Sequence, residues 1–168
     1  KLAPQTPDLL LMAFGLNDAN STIGGSPRVS VAEYKEGLRG VIVKAQAAGT
    51  EVMLVTPMQP SPFLKSGIAG RIVQYRGAML ALAKEENVAC ADVYASWLRQ
   101  ADQGTPPFSQ LHNWINHPGN NGHGVYAATI LRFFGGEKKE TSFIRPLPSA
   151  PAASILSSAI ALEAPAAS

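Results

Sequence analysis

The chain of 168 residues carries 14 lysines and arginines against 12 aspartates and glutamates, a net charge of +2, and 46% of it is hydrophobic. That length and apolar share suit one domain with a self-sufficient core, and the basic residues are scattered instead of striped, which argues against nucleic acid or an anionic membrane and for a small-molecule partner. A single cysteine, Cys90, rules out an internal disulfide framework and reads in NVACADV as a small buried hydrophobe, leaving the compartment open.

The opening KLAPQTPD has neither the charged start nor the apolar stretch of a signal peptide, and no apolar run approaches the roughly 20 residues of a membrane span. The chain starts with Lys and reaches an apolar run almost at once, so a preceding segment is expected. Residues 8–14 (DLLLMAF), 51–56 (EVMLVT) and 88–93 (VACADV) are short apolar runs without clean alternation, the pattern of strands covered on both faces. After the first, Ser30 and Glu33 have capping-box spacing, and a helix is expected to run to about Ala48, with Gly49 as its left-handed stop and Tyr34, Leu38, Val41, Ile42 and Ala45 inward. A second helix is expected from about Ile68 to Glu86, with Ile72, Tyr75, Met79, Leu82 and Ala83 on one side. The third strand leads into YASWLRQA, a short helix, then a Pro, Gly and Asn-rich loop, and a last amphipathic helix over 125–134.

Strand and helix in alternation imply parallel strands joined by right-handed crossovers, hence an open α/β sheet with helices on both faces, whose ligands bind at the carboxyl ends of the strands. Beyond Gly136 the composition turns to Pro, Ala and Ser, too little periodic apolar surface to offset the entropy of ordering, so 1–135 is read as the domain and 136–168 as a largely disordered tail with at most a marginal helix over 155–162.

Two stretches carry chemistry. LLLMAFGLND drives an apolar strand into Gly15-Leu16-Asn17-Asp18, where the Asn17 amide can donate to an oxygen that turns negative during acyl transfer, and Gly15 permits the unusual backbone path. As an isolated tetrapeptide it reads more readily as an ordinary turn. In NWINHPGNNGHGVYAATI, His117 precedes Pro118 in a loop after the last strand, at the end of the sheet where Asn17 lies, and an imidazole there suits a general base.

Together these blocks resemble the SGNH hydrolase family, the GDSL-type esterases and lipases, over about 7–134: Gly15, Leu16, Asn17 and Asp18 match its Gly-x-Asn-Asp block, and His117 with Pro118 its last block. The resemblance implies a three-layer α/β/α sandwich with a flavodoxin-like parallel sheet and two further strands upstream of those visible. It implies a carboxylic ester hydrolase without cofactor, acting on a small-molecule ester, acylated carbohydrates among the candidates. A serine in a Gly-Asp-Ser motif attacks the carbonyl, Asn17 with Gly15 belongs to the oxyanion site, His117 is the base, and Asp18 braces the turn. Two departures stand out. No Gly-Asp-Ser block occurs, so the nucleophile is expected upstream of Lys1 and this chain alone is expected to be inactive; Ser66 and Ser96 fall in helical contexts, and Ser21 and Ser26 are the local substitutes to inspect. The family's Asp three positions before its histidine is Trp114 here, with Asn113 and Asn116 nearby as amides that can hold a ring without neutralising it.

Rival readings are a metal site from His112, His117, His123 and Asp18, whose spacings of five and six match no compact ligand pattern, and a non-catalytic binding module that keeps the crevice without the serine. Met12, Met53, Met58 and Met79 read as core filler or scattered contacts, Trp97 as helix packing, and Glu137-Lys-Lys-Glu140 as a solvated run. The loops over 20–29 and 60–66 would choose the substrate, and their Gly, Pro and Ser name none.

Overall fold

The computed structural model describes residues 7–21, 25–61, 63 and 67–135. Among them, β1 (Leu9–Ala13), β2 (Glu51–Val55) and β3 (Ala89–Ala91) form a parallel sheet in the order β1-β2-β3, with Leu9 opposite Glu51 and Met53 opposite Ala89. Alternation divides each strand between two layers. Leu10, Met12, Val52 and Leu54 face α1 (Val31–Ala47) and α2 (Ile68–Glu85), where Tyr34, Leu38, Ile42, Ile72, Tyr75, Met79 and Leu82 complete one core. Met53, Val55 and Ala91 face α3 (Val93–Asp102) and α4 (Asn120–Leu131), with Trp97, Leu111 and Val125 as the second core. The result is the three-layer α/β/α arrangement expected of the strand and helix alternation.

The start of α1 is fixed as its sequence implies: Glu33 N donates to Ser30 Oγ at 3.2 Å while Ser30 N donates to Glu33 Oε2 at 3.0 Å. Gly49, at φ +78°, stops it. Val41, expected inward, is exposed, because Ile42 takes the core direction and its neighbour is turned about 100° toward water.

The strands are shorter than the apolar runs. Phe14 has left the sheet and is exposed, Thr56 lies past the end of β2, and Val93 already opens α3. The cause is Asp92, which caps α3 by accepting from Ala95 N at 3.2 Å and so ends β3. The same carboxylate accepts from Thr56 Oγ1 at 3.1 Å and from Arg76 Nη2 of α2 at 2.6 Å, binding the carboxyl ends of β2 and β3 to both helix layers. Cys90 is half-buried against the α1/α2 core, and burial first, then the Asp92 charge, pushes its thiol up to about 12.

Helix α4 begins at Asn120, five residues before the expected 125. NNGHG reads as loop by composition, yet Gly122 is required inside the helix: a Cβ there would lie 2.6 Å from Gln110 O and 2.7 Å from the Trp97 ring. Close packing of the first turn against the preceding loop overrides glycine's low helix propensity. The expected tail over 136–168 and Ser66 lie outside the described residues.

Candidate active site

The turn after β1 follows from two residues. Gly15 is buried at φ +117°, a conformation L side chains rarely adopt, and a Cβ would meet the Tyr34 hydroxyl at 3.0 Å. Asp18 Oδ2 accepts from Gly15 N at 2.9 Å, and Ala19 N donates to Gly15 O at 2.9 Å, which closes the turn on itself. Tyr34 supports it from below by donating to Phe14 O at 3.3 Å; burial first, then Asp18, holds that phenol above its ordinary range, so it stays neutral. Beyond the turn, Arg71 of α2 donates to Ala19 O at 3.0 Å, to Gly25 O at 2.6 Å and to Ser21 Oγ.

With the Gly15 N–H and the Asp18 carboxylate engaged by each other, Asn17 stands exposed and its side-chain amide makes no hydrogen bond among the described residues. It lines a cavity of about 130 Å³ between the carboxyl ends of β1 and β2, together with Gly15, Asp18, Thr56, Pro57 and Tyr126. Tyr126 reaches over from α4 and its hydroxyl accepts from Met58 N at 3.1 Å, so one side chain fixes the helix to the strand end and forms a cavity wall. Nothing in the sequence marks Tyr126 for this: its partner is a backbone amide 68 residues away.

The histidine loop is equally closed. Gly119 N donates to Gln110 O at 2.8 Å, His112 N donates to His117 O at 2.7 Å, and Leu111 and Pro118 form an antiparallel bridge at its base. Ser61 N, in the segment after β2, donates to Ile115 O at 2.7 Å, which ties the loop to the end of the sheet that carries Asn17. Within the loop Asn113 Oδ1 accepts from the backbone N–H groups of Ile115, Asn116 and His117 at 3.1, 3.0 and 3.0 Å, and its Nδ2 donates to Asn116 Oδ1 at 3.0 Å. Trp114 adopts φ +59° and stays exposed, its ring 6.0 Å from that of Phe108.

Gly15, Asn17, Asp18 and Tyr126 therefore share one cavity; His117 and Asn116 belong to the neighbouring loop and are not part of its wall. His117 is exposed with its imidazole unbonded among the described residues, and His112 and His123 are exposed as well. Among the described residues no three His, Cys, Asp or Glu side chains gather as metal ligands would. Ser96 is buried in α3 and hydrogen-bonded to Thr129 at 2.8 Å and to Arg99 at 2.7 Å, while the Ser21 hydroxyl is held by Arg71.

Comparison with known proteins adds a family and a set of solved folds. The sequence model of the GDSL-like Lipase/Acylhydrolase family matches residues 1–125. The protein named Uncharacterized esterase YxiM of Bacillus subtilis (strain 168) is 34% identical over 88 residues, 51% of this chain and 22% of its own length. Axe2, an acetylxylan esterase from Geobacillus stearothermophilus, superposes with a TM-score of 0.66 at 21% identity over 84% of this chain and 64% of its own. LAE5, an alpha/beta hydrolase enzyme from the metagenome of Lake Arreo, does so with a TM-score of 0.65 at 24% identity, over 77% and 61%. The chain thus spans about a fifth of the curated relative and under two thirds of the solved ones.

Proposed function

Because the chain belongs to the GDSL-like lipase/acylhydrolase family, we propose that it is part of an ester hydrolase working through a serine acyl-enzyme, with Asn17 as oxyanion donor, His117 as general base and the serine in a segment preceding Lys1. The observation that carries this reading is the turn after β1, where Asp18 and the Gly15 N–H engage each other and the Asn17 amide is left exposed at a cavity. The hydrogen-bonded turn fixes the backbone from which the Asn17 amide extends, and a donor at that place stabilises the charge that appears on the carbonyl oxygen only during reaction. Gly15 contributes by its backbone path, since its N–H is occupied by Asp18.

In this mechanism the serine Oγ forms a bond to the ester carbonyl carbon as His117 takes the hydroxyl proton, and the electron pair of the C=O moves onto the oxygen facing Asn17. Collapse breaks the bond to the leaving alkoxide, which receives the proton from His117, and water repeats the sequence on the acyl-enzyme. The substrate is a small carboxylic ester, with an acyl group carried on a carbohydrate among the candidates.

The test is made on the full-length gene product with p-nitrophenyl acetate. Asn17→Ala is expected to lower kcat about a hundredfold with little change in KM, and His117→Ala at least as much, while His112→Ala and His123→Ala keep most activity. An unchanged kcat in Asn17→Ala reduces that residue to a turn former, and an essential His123 would reassign the base.

A further inference from the structure

We infer that Asn113 is the positioning residue for His117: its side-chain oxygen sets the backbone from which the imidazole projects, in a loop that has no carboxylate at position 114. The inference rests on His117 being the base. One oxygen gathers the N–H groups of residues 115, 116 and 117, and the amide nitrogen of the same side chain holds the Asn116 side chain. Asparagine is suited to this because its short side chain reaches backbone N–H groups two to four positions ahead while its nitrogen remains a donor. The gathering continues through His117 itself, whose N–H donates to Asn113 and whose carbonyl accepts from His112, so both backbone ends of the histidine are fixed.

Trp114 shows what the arrangement does to the neighbouring position. It is held at φ +59°, disfavoured for a bulky residue, and is 63% exposed with its ring 6.0 Å from that of Phe108. Trp114 N itself donates to Leu111 O at 3.5 Å, and the three residues that follow Trp114 are the ones gathered on Asn113. Asn116, with its side-chain oxygen engaged by Asn113, is placed by the same residue. A misplacement of about 1 Å in a catalytic group costs on the order of a hundredfold in rate, so loss of the three acceptor contacts should register in kcat even where the domain stays folded.

The experiment compares Asn113→Ala, Asn113→Asp and His117→Ala in the full-length gene product, measuring kcat and KM for p-nitrophenyl acetate and the melting temperature. Asn113→Ala is expected to lower kcat roughly 10- to 100-fold, with KM within about twofold and the melting temperature near that of the parent. Asn113→Asp keeps the acceptor oxygen for the three N–H groups, replaces the donor to Asn116 with a second, charged oxygen, and is expected to recover kcat to within a few-fold. Parental kcat in Asn113→Ala beside an inactive His117→Ala overturns the inference, and so does a kcat that falls only with the folded fraction, or an Asn113→Asp no better than Asn113→Ala. Where Asn113→Ala does not fold, Asn113→Ser, with one shorter acceptor, decides on the same split: lowered kcat at constant KM supports, parental kcat overturns. A fully active His117→Ala removes the proposed base, and with it this inference, before Asn113 is considered.

Discussion

At Gly15 the conformation and the space exclude a side chain for separate reasons. The residue sits at φ +117°, and a Cβ would press on the Tyr34 hydroxyl at 3.0 Å and on Pro57 at 3.4 Å. Tyr34 has little room to yield, since it is buried and set edge-on to Tyr75 with ring centroids 5.1 Å apart. Gly15→Ala is therefore expected to destabilise the domain by about 1–3 kcal/mol, read as a lower denaturant midpoint at constant slope, and to displace Asn17 with a matching loss of kcat. Midpoint and kcat both at parental values would show that the turn tolerates a side chain. The local sequence announces this residue, because Gly, Asn and Asp at a strand end have few structural meanings. Asn113 is another matter: its partners are backbone groups, and NWINHP looks the same whether the amide gathers them or faces water.

At the scale of elements, the alternation of strands and helices was legible because buried parallel strands and amphipathic helices write different periods into the sequence. Ends were less so. The run 88–93 looks like one strand, but Asp92 stops it after Ala91 by capping α3, and only the fold brings Arg76 and Thr56 to that carboxylate. Burial raises the Asp92 pKa, and the hydrogen bonds from Arg76 and Ala95 outweigh it to leave a net lowering below 3.8. A carboxyl with a depressed folded pKa stabilises the fold fully above its unfolded value and loses that contribution as pH falls through the folded one. Acid unfolding below about pH 4 should thus include an Asp92 contribution. Asp92→Asn, which keeps a capping oxygen and loses the charge, is expected to cost about 1–2 kcal/mol at pH 7 and progressively less as pH falls below 4. A stability difference between Asp92→Asn and the parent that stays constant from pH 7 to pH 3 would mean that the charge on Asp92 contributes nothing.

For the whole molecule, the sheet order β1-β2-β3 among the described residues leaves β1 at an edge, with Leu11 in it and Phe14 just after it about half exposed. The parallel order followed from the sequence of elements; what lies across that edge did not, since an edge strand and an interior strand carry the same apolar residues when both faces are covered. About a third of the length of the solved relatives lies outside what this chain matches. If the nucleophile lies in that portion, purified residues 1–168 should neither hydrolyse p-nitrophenyl acetate above a His117→Ala control nor form a stoichiometric adduct with a fluorophosphonate probe. A triad mechanism needs the serine within about 3 Å of its base, and without it water attacks orders of magnitude more slowly. Ser21 and Ser96 already have other partners, Arg71 for one and Thr129 with Arg99 for the other. Stoichiometric labelling of any serine within 1–168, located by mass spectrometry, would move the nucleophile into this chain. Labelling that appears only when the preceding segment is restored, and disappears again in Asn17→Ala or His117→Ala, would join the two parts into one site at the carboxyl end of β1.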